Sequence, residues 1–480
     1  FNYGSLPIYL LRATGQIIHT FFPTTLSLYD SLLHIGRALS LIADLTIMLM
    51  IHKLSWKLFK NKAITIIAPL LYAFAFFPIQ NSHFFIVDTF LNLFIFLTLY
   101  SLLRYLEQST RLRLLTVALA FAAAVTTKVT AIIFIPFILF HILFHHRKNF
   151  RKGAYHILTF SLLLLSFSFI FMPFAFINWH KFITDISLQI KLGSDPYVFP
   201  YTLQYVGTVP YLYYLKNIFL WGLGPITSVL ALFGIMGLAN KLITRRKTLN
   251  MSQVIFLAYY VFYFLFIGFS AVKFMRYMLP IYPFITILAA YGLEMIRKKA
   301  GGRFFVVTLL VVVTGWTFAL NSIYLKEHTR ITATKWIQQN IPSGSIIAFE
   351  HWDDRVPMVG EYVYNELQLY NQPDNKAKWE TISGQLKNSE YMVIASNRLY
   401  TPLQKLDDCK KYKSCYPISS KYYKDLFAGR SEFEIIKEFS VQPSLKILNT
   451  EYQIPDKSSD ESFTVYDHPT IYIFKKTQSY

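Results

Sequence analysis

Ten apolar runs leave this chain few ways to fold. They lie near residues 31–51, 62–80, 84–103, 113–127, 129–145, 155–178, 216–239, 252–271, 276–296 and 303–323. A helix crossing the hydrocarbon core needs about 20 apolar residues. Inside lipid each backbone N–H and C=O must be satisfied within its own segment, which selects helices over open strands. The expectation is a mostly α membrane protein, a bundle of about ten spans. The runs 113–127 and 129–145 are the weakest pair, because Lys128 divides them and the first is short.

The loops between the runs alternate in charge. One set is basic: Lys53, Lys57, Lys60 and Lys62; Arg104, Arg111 and Arg113; Arg147, Lys148, Arg151 and Lys152; Lys241, Arg245, Arg246 and Lys247; Arg297, Lys298, Lys299 and Arg303. The other set, 80–83, 178–216 and 270–275, is not. The positive-inside rule places the first set in the cytoplasm. Residue 1, the 178–216 loop, the 270–275 turn and everything after 323 then fall on the outer face. This topology also accounts for the net charge of +20. In a soluble protein that charge would suggest nucleic acid, but no nucleic-acid partner is expected here. The chain has no Walker or G-x-G-x-x-G loop and no zinc-type Cys/His spacing. It begins Phe1-Asn2-Tyr3 without Met or a signal peptide, so an N-terminal segment is expected to be missing. Residues 1–22, apolar but holding Pro7, Arg12 and His19, read as an interfacial amphipathic helix; the alternative is a truncated span.

After about residue 324 polar and apolar residues mix, so the domains divide as 1–324, the membrane part, and 325–480, a small extracytoplasmic α/β domain. There a helix is expected at Thr332–Asn340 and another at Tyr422–Ala428. Strands are expected at Ser345–Glu350, Tyr391–Ala395, Phe433–Val441, Phe463–Tyr466 and Ile471–Phe474. Cys409 and Cys415, the two cysteines of the chain, either form a local disulfide, as an extracytoplasmic site permits, or remain free thiols.

Ionisable residues near span ends are functional candidates because charge beside lipid is costly. Asp88 follows the polar string Gln80-Asn81-Ser82-His83 at an outer mouth; it is either a working carboxylate or an anchor at a helix N-terminus. Arg37, in G-R-A-L-S, has a planar fork that suits phosphate or carboxylate; its structural alternative is a pair with Asp30 or Asp44. Lys128, in T-T-K-V-T, faces a phosphate or snorkels to water. Lys273, Arg276 and Tyr277 precede L-P-I-Y-P. If a helix has begun there, the two cations share one face and suit a phosphate; headgroup anchoring is the alternative. Glu350-His351-Trp352-Asp353-Asp354 is a solvated loop or a binding loop for acceptor or metal.

The strings F-N-Y-G-S-L-P-I-Y-L, G-R-A-L-S, S-H-F-F-I-V-D, T-T-K-V-T, R-Y-M-L-P-I-Y-P and A-T-K-W-I-Q-Q-N-I-P-S-G-S, in this order, resemble the polytopic glycosyltransferases of the protein O-mannosyltransferase and aminoarabinose transferase type, which have the GT-C fold. The resemblance covers most of 1–350. It implies a sugar donor linked to a polyprenyl phosphate and a protein, lipid or glycan acceptor at the outer face. The sugar, hexose- or mannose-like, would move by inverting displacement with a carboxylate base. In the family that carboxylate lies in the first outer loop, which here would precede residue 1; among the residues present Asp88 is the catalytic candidate. A Lys that related enzymes often carry near Gly4 is lacking. Phosphate contact would then fall to Arg37, Lys128, Lys273 or Arg276, with His83 and Tyr277 beside the substrate. No cofactor is assigned, and a divalent metal stays open. The rival readings are a transporter, which places ionisable groups near the midplane and shows repeats, and a membrane-anchored binding protein.

Overall fold

A computed structural model describes residues 3–22, 27–244, 249–298 and 302–477. Phe1, Arg245, Arg246, Lys247 and Lys299, used above to assign sides, lie outside the described residues. The chain separates into two compact units. The first comprises Phe1–Lys191, Val209–Ser270 and Met275–Thr317; the second comprises Leu192–Thr208, Ala271–Phe274 and Phe318–Tyr480.

The first unit is helical. Its helices are α1 (Leu6–Phe21), α2 (Leu28–Phe59), α3 (Lys62–Ala73), α4 (Phe76–Ser82), α5 (Val87–Glu107), α6 (Arg111–Thr127), α7 (Ile135–His145), α8 (Phe150–Phe171), α9 (Pro173–Ile177), α10 (Trp179–Ser194), α11 (Leu212–Asn217), α12 (Pro225–Thr244), α13 (Met251–Gly268), α14 (Tyr282–Ile296) and α15 (Gly302–Asn321), the last residues of α10 and α15 belonging to the second unit. Each expected span coincides with helix. Among the described residues, however, seven helices are long and apolar enough to cross a membrane. The pair α3 and α4, bent by 55° at its break, makes an eighth if it is one span. The other two expected spans fall short for local reasons. α6 ends after 17 residues because Lys128 is extended (φ −151°, ψ 119°). Residues 129–134 then form a 3₁₀ turn, and Pro136 opens α7. The expected interfacial segment is helical as α1, with Ile8, Ile17 and Phe21 exposed.

Small residues set the closest helix packing. In α6 the run Ala122-Ala123-Ala124 is buried, and small side chains let membrane helices approach without a hydrophobic drive. Gly234 of α12 and Gly292 of α14 go further. A Cβ on Gly234 would collide with the Leu288 carbonyl oxygen, and one on Gly292 with that of Leu230. Gly292→Leu is therefore expected to separate these helices and destabilise the bundle by at least ~1–3 kcal/mol. Thermal unfolding in detergent should show the drop, while Leu112→Ala, at an exposed site, should not.

The second unit contains β1 (Ile346–Glu350), β2 (Val363–Leu367), β3 (Tyr391–Ile394), β4 (Phe433–Phe439), β5 (Ser444–Ile447), β6 (Thr450–Gln453) and β7 (Ile471–Lys476). Its helices are α16 (Thr329–Asn340), α17 (Lys376–Lys387), α18 (Tyr400–Lys405), α19 (Pro417–Phe427) and α20 (Glu461–Thr464). The main sheet has the order β2-β1-β3-β7-β4; β5 and β6 form a separate hairpin. β1 runs parallel to β2 and β3, while β7 is antiparallel to β3 and β4. β3 is buried along its whole length, as a central strand covered on both faces must be. Cores lie on the two faces, one around Met392, Ile394 and Phe474, the other around Ile337, Ile347 and Val393. The first core also takes in Leu203 and Val206. The strand expected at Phe463–Tyr466 is not formed: Asp460 accepts from the Ser462 N–H (2.8 Å) and hydroxyl (2.6 Å), capping α20 and starting a helical turn instead. Cys409 and Cys415 are joined in a disulfide.

Candidate functional site

The two weakest points of the helix pattern build the site. α5 starts from an extended Ile86, and Asp88 stands in its first turn, where the free N–H groups favour negative charge. Where α6 stops, the extended backbone at Lys128 throws the side chain off the helix axis. The Lys128 ammonium donates to Asp88 Oδ1 at 2.8 Å, with both residues buried. Arg276, in the 3₁₀ turn Met275–Ile281 before α14, brings its Nε to 3.8 Å from Asp88 Oδ2. Its side chain is about a quarter exposed, at 23%. One carboxylate thus answers two cations among the described ion pairs.

Aromatic rings close the cluster. The Lys128 ammonium lies 4.4 Å from the Tyr277 ring centroid and 5.8 Å from that of Tyr3, within the range where a ring face attracts a cation. The Tyr277 carbonyl accepts from the Tyr263 hydroxyl at 2.5 Å, tying the 3₁₀ turn to α13. Gly4 brings Tyr3 into place. Its N–H donates to the Thr127 carbonyl at 3.1 Å, and a Cβ there would strike the Thr126 carbonyl oxygen. Only glycine lets the segment before α1 approach the end of α6 so closely.

Three candidates fall elsewhere. Arg37 is exposed on α2 and belongs to none of the described ion pairs; its suggested partners are engaged otherwise. Asp30 accepts from Ser27, and Asp44 accepts from the Tyr72 hydroxyl (2.5 Å) and Ser82 (2.9 Å). His83 caps α4, with Nδ1 donating to the Ile79 carbonyl at 2.9 Å. Lys273 precedes the 3₁₀ turn, so the helix that would align it with Arg276 has not begun there. It is counted with the second unit, where its ammonium donates to the Ala271 carbonyl at 3.0 Å. Burial and then Lys405 depress its pKa.

Sequence reasoning passed over two groups in this unit. Tyr3 and Gly4 lay inside the quoted string F-N-Y-G-S-L-P without a role. The polar chain Asp44–Tyr72–Asn92, closed by the Asn92 amide donating to Tyr72 at 3.2 Å, joins α2, α3 and α5; a lone Asp within an apolar run was its signal.

In the second unit the loop after β1 is tied down. Asp353, whose side chain is 2% exposed, pairs with Arg330 at 3.2 Å and accepts from Ser396. Among the described residues no group of three or more His, Cys, Asp or Glu is placed to hold a metal ion. Glu350 is buried, accepts from Tyr423 and leaves Oε2 without a partner. Burial, and secondarily Asp353, raises its pKa to about 8 against the Tyr423 hydrogen bond. From about pH 4.5 to about 8 the folded chain therefore holds a proton that the unfolded chain has released. Stability is greatest below that window, falls as pH rises through it and levels off above it. Glu350→Gln is expected to remove this slope, worth on the order of a few kcal/mol, in thermal unfolding measured from pH 5 to 8.5.

Residues 24–172 match the family model described as dolichyl-phosphate-mannose-protein mannosyltransferase. That stretch carries the family's pattern. It bears out, over those residues, the resemblance to GT-C glycosyltransferases, and it contains Arg37, His83, Asp88 and Lys128. A search of curated proteins gives no match. Among solved structures the chain is similar to ArnT from Cupriavidus metallidurans bound to undecaprenyl phosphate. The identity is 12% over 84% of this chain and 85% of that one, with a TM-score of 0.46.

Proposed function

We propose that the chain is an integral membrane glycosyltransferase. It takes a sugar from a polyprenyl-phosphate-linked donor and passes it to a protein, lipid or glycan acceptor on the outer face. The observation that carries this is the cluster of Lys128 and Arg276 on Asp88, inside a helical unit whose 24–172 segment matches the mannosyltransferase family.

The chemistry follows from the charges. As the acceptor hydroxyl attacks the anomeric carbon, the bond to the carrier phosphate breaks and negative charge grows on that phosphate. Fixed cations sheltered from water stabilise such charge without reorganising. Arg276, partly exposed, presents its guanidinium to the phosphate; Lys128 adds a second charge from behind. Asp88 holds both cations in position, and the Tyr277 and Tyr3 rings keep water from Lys128. A carboxylate takes the hydroxyl proton; among the described cluster residues Asp88 is the one able to do so once a phosphate shares its cations. The outer location of the second unit is part of the same proposal and is supported by the Cys409–Cys415 disulfide, which persists in oxidising compartments.

Binding of polyprenyl phosphate to the purified protein tests the site. Lys128→Met is expected to weaken it about 10-fold or more, since one charge-assisted hydrogen bond is worth roughly 1.5–3 kcal/mol. Unchanged binding would overturn the assignment of the cluster to phosphate.

A further inference from the structure

The second unit contains a cavity of 270 Å³ that the transfer reaction does not use. Its wall is formed by α18, the end of α19, the stretch after β4, and residues 456–472. The volume is just under the ~300–1,000 Å³ of drug-sized pockets, which fits one small ring rather than a peptide or an acyl chain.

The lining chemistry narrows the occupant. Three amide-bearing residues, Asn397, Gln404 and Gln442, line the cavity. Each amide offers both donors and an acceptor, as does each hydroxyl of a polyol. Gln404 uses its donor on the Tyr400 carbonyl at 3.0 Å, whereas the side chains of Asn397 and Gln442 make none of the hydrogen bonds found among the described residues. Opposite lies a buried pair, Asp456 and His468, both 3% exposed. His468 Nε2 is 2.6 Å from Asp456 Oδ2 and must carry the proton it donates. Its Nδ1 is buried with no partner. It is an unmet polar atom within a residue of the cavity wall, and an unmet polar atom costs free energy.

The third element is aromatic. Tyr400, Phe427 and Tyr472 line the same cavity and pack together, with centroids 5.0 Å apart for Tyr400–Phe427 and 5.2 Å for Phe427–Tyr472. Ring faces are electron-rich and attract polarised C–H groups. Asp456 is hydrogen-bonded to His468, and Lys457 is answered by Glu438 at 3.7 Å. An anion finds no surplus cation here, and a lipid tail finds too many polar atoms.

We infer that this cavity is a binding site for a single neutral sugar residue, such as the end of a glycan chain. The inference goes beyond the proposed transfer, because the cavity is built wholly from the second unit and needs no catalytic cluster.

Saturation-transfer NMR on the full chain in detergent tests it, with mannose, galactose and N-acetylglucosamine as probes and glycerol and inorganic phosphate as controls. At least one sugar, but neither control, is expected to show saturation. Thr401→Trp places an indole at the cavity rim from an exposed position; it should abolish the signal and leave the unfolding temperature unchanged. Gln442→Ala should weaken binding about 2–10-fold, the equivalent of one neutral hydrogen bond. Arg276→Ala should leave the signal intact, which separates this site from the transferase cluster. The inference is overturned if no sugar binds, if Thr401→Trp leaves the signal intact, or if Arg276→Ala removes it.

Discussion

Asp88→Asn is expected to lower the turnover of sugar transfer by ~10²–10³, the loss seen when one preorganised electrostatic group is removed from a site. The side chain keeps its shape, so the effect comes from charge. Asp88 is buried beside two cations, and deleting its charge leaves Lys128 buried and unanswered. Removing one partner of a buried pair destabilises by ~3–5 kcal/mol, so lost activity could come from lost fold. The double variant Asp88→Asn with Lys128→Met separates the two. It removes both charges, and a neutral pair of similar volume is often as stable as the ion pair it replaces. The unfolding temperature should recover toward wild type while turnover stays low. Recovery of turnover along with stability would show that the pair only holds the helices together.

Arg276→Ala is expected to reduce kcat/KM for the lipid-linked donor by about 10²-fold with little change in stability. Arg276 is partly exposed and stands 3.8 Å from Asp88, beyond hydrogen-bond distance, while Lys128 at 2.8 Å still answers that carboxylate in the variant. Its larger effect should be on the developing phosphate charge. Arg276→Lys should recover only part of the rate, because an ammonium supplies a point charge where a guanidinium offers a fork matched to two phosphate oxygens. Steady-state kinetics with varied donor would show it, and a full rate in Arg276→Lys would reduce the role to charge alone.

Much of the membrane unit was legible because apolar runs must become helices in lipid. Shortfalls came where a single residue redirects the backbone: Lys128 ends α6 early, and the run after it starts as 3₁₀. The pairing of Asp88 with Lys128 spans 40 positions, and no periodicity encodes it; only their shared membrane side was readable. Arg37, expected on that same side, belongs to none of the described ion pairs, because side alone does not fix the direction a side chain takes around its helix. The C-terminal sheet was readable at β1, β3, β4 and β7, where β-branched and aromatic residues concentrate. The edge strand β2, half-exposed and holding Asn365 and Glu366, left no such trace. Leu203 and Val206, placed by sequence in the long 178–216 loop, were not recognisable as part of that sheet's core.

The central claim is the use of a lipid-linked donor. The direct measurement is transfer of radiolabelled hexose, mannose first, by the full-length protein to cell-envelope acceptors, from polyprenyl-phosphate donors and from nucleotide-linked donors in parallel. The account predicts label transfer from the polyprenyl-phosphate donor alone, and loss of that transfer in Arg276→Ala. Transfer from the nucleotide-linked donor, or lipid-linked transfer that Arg276→Ala leaves unchanged, would contradict it.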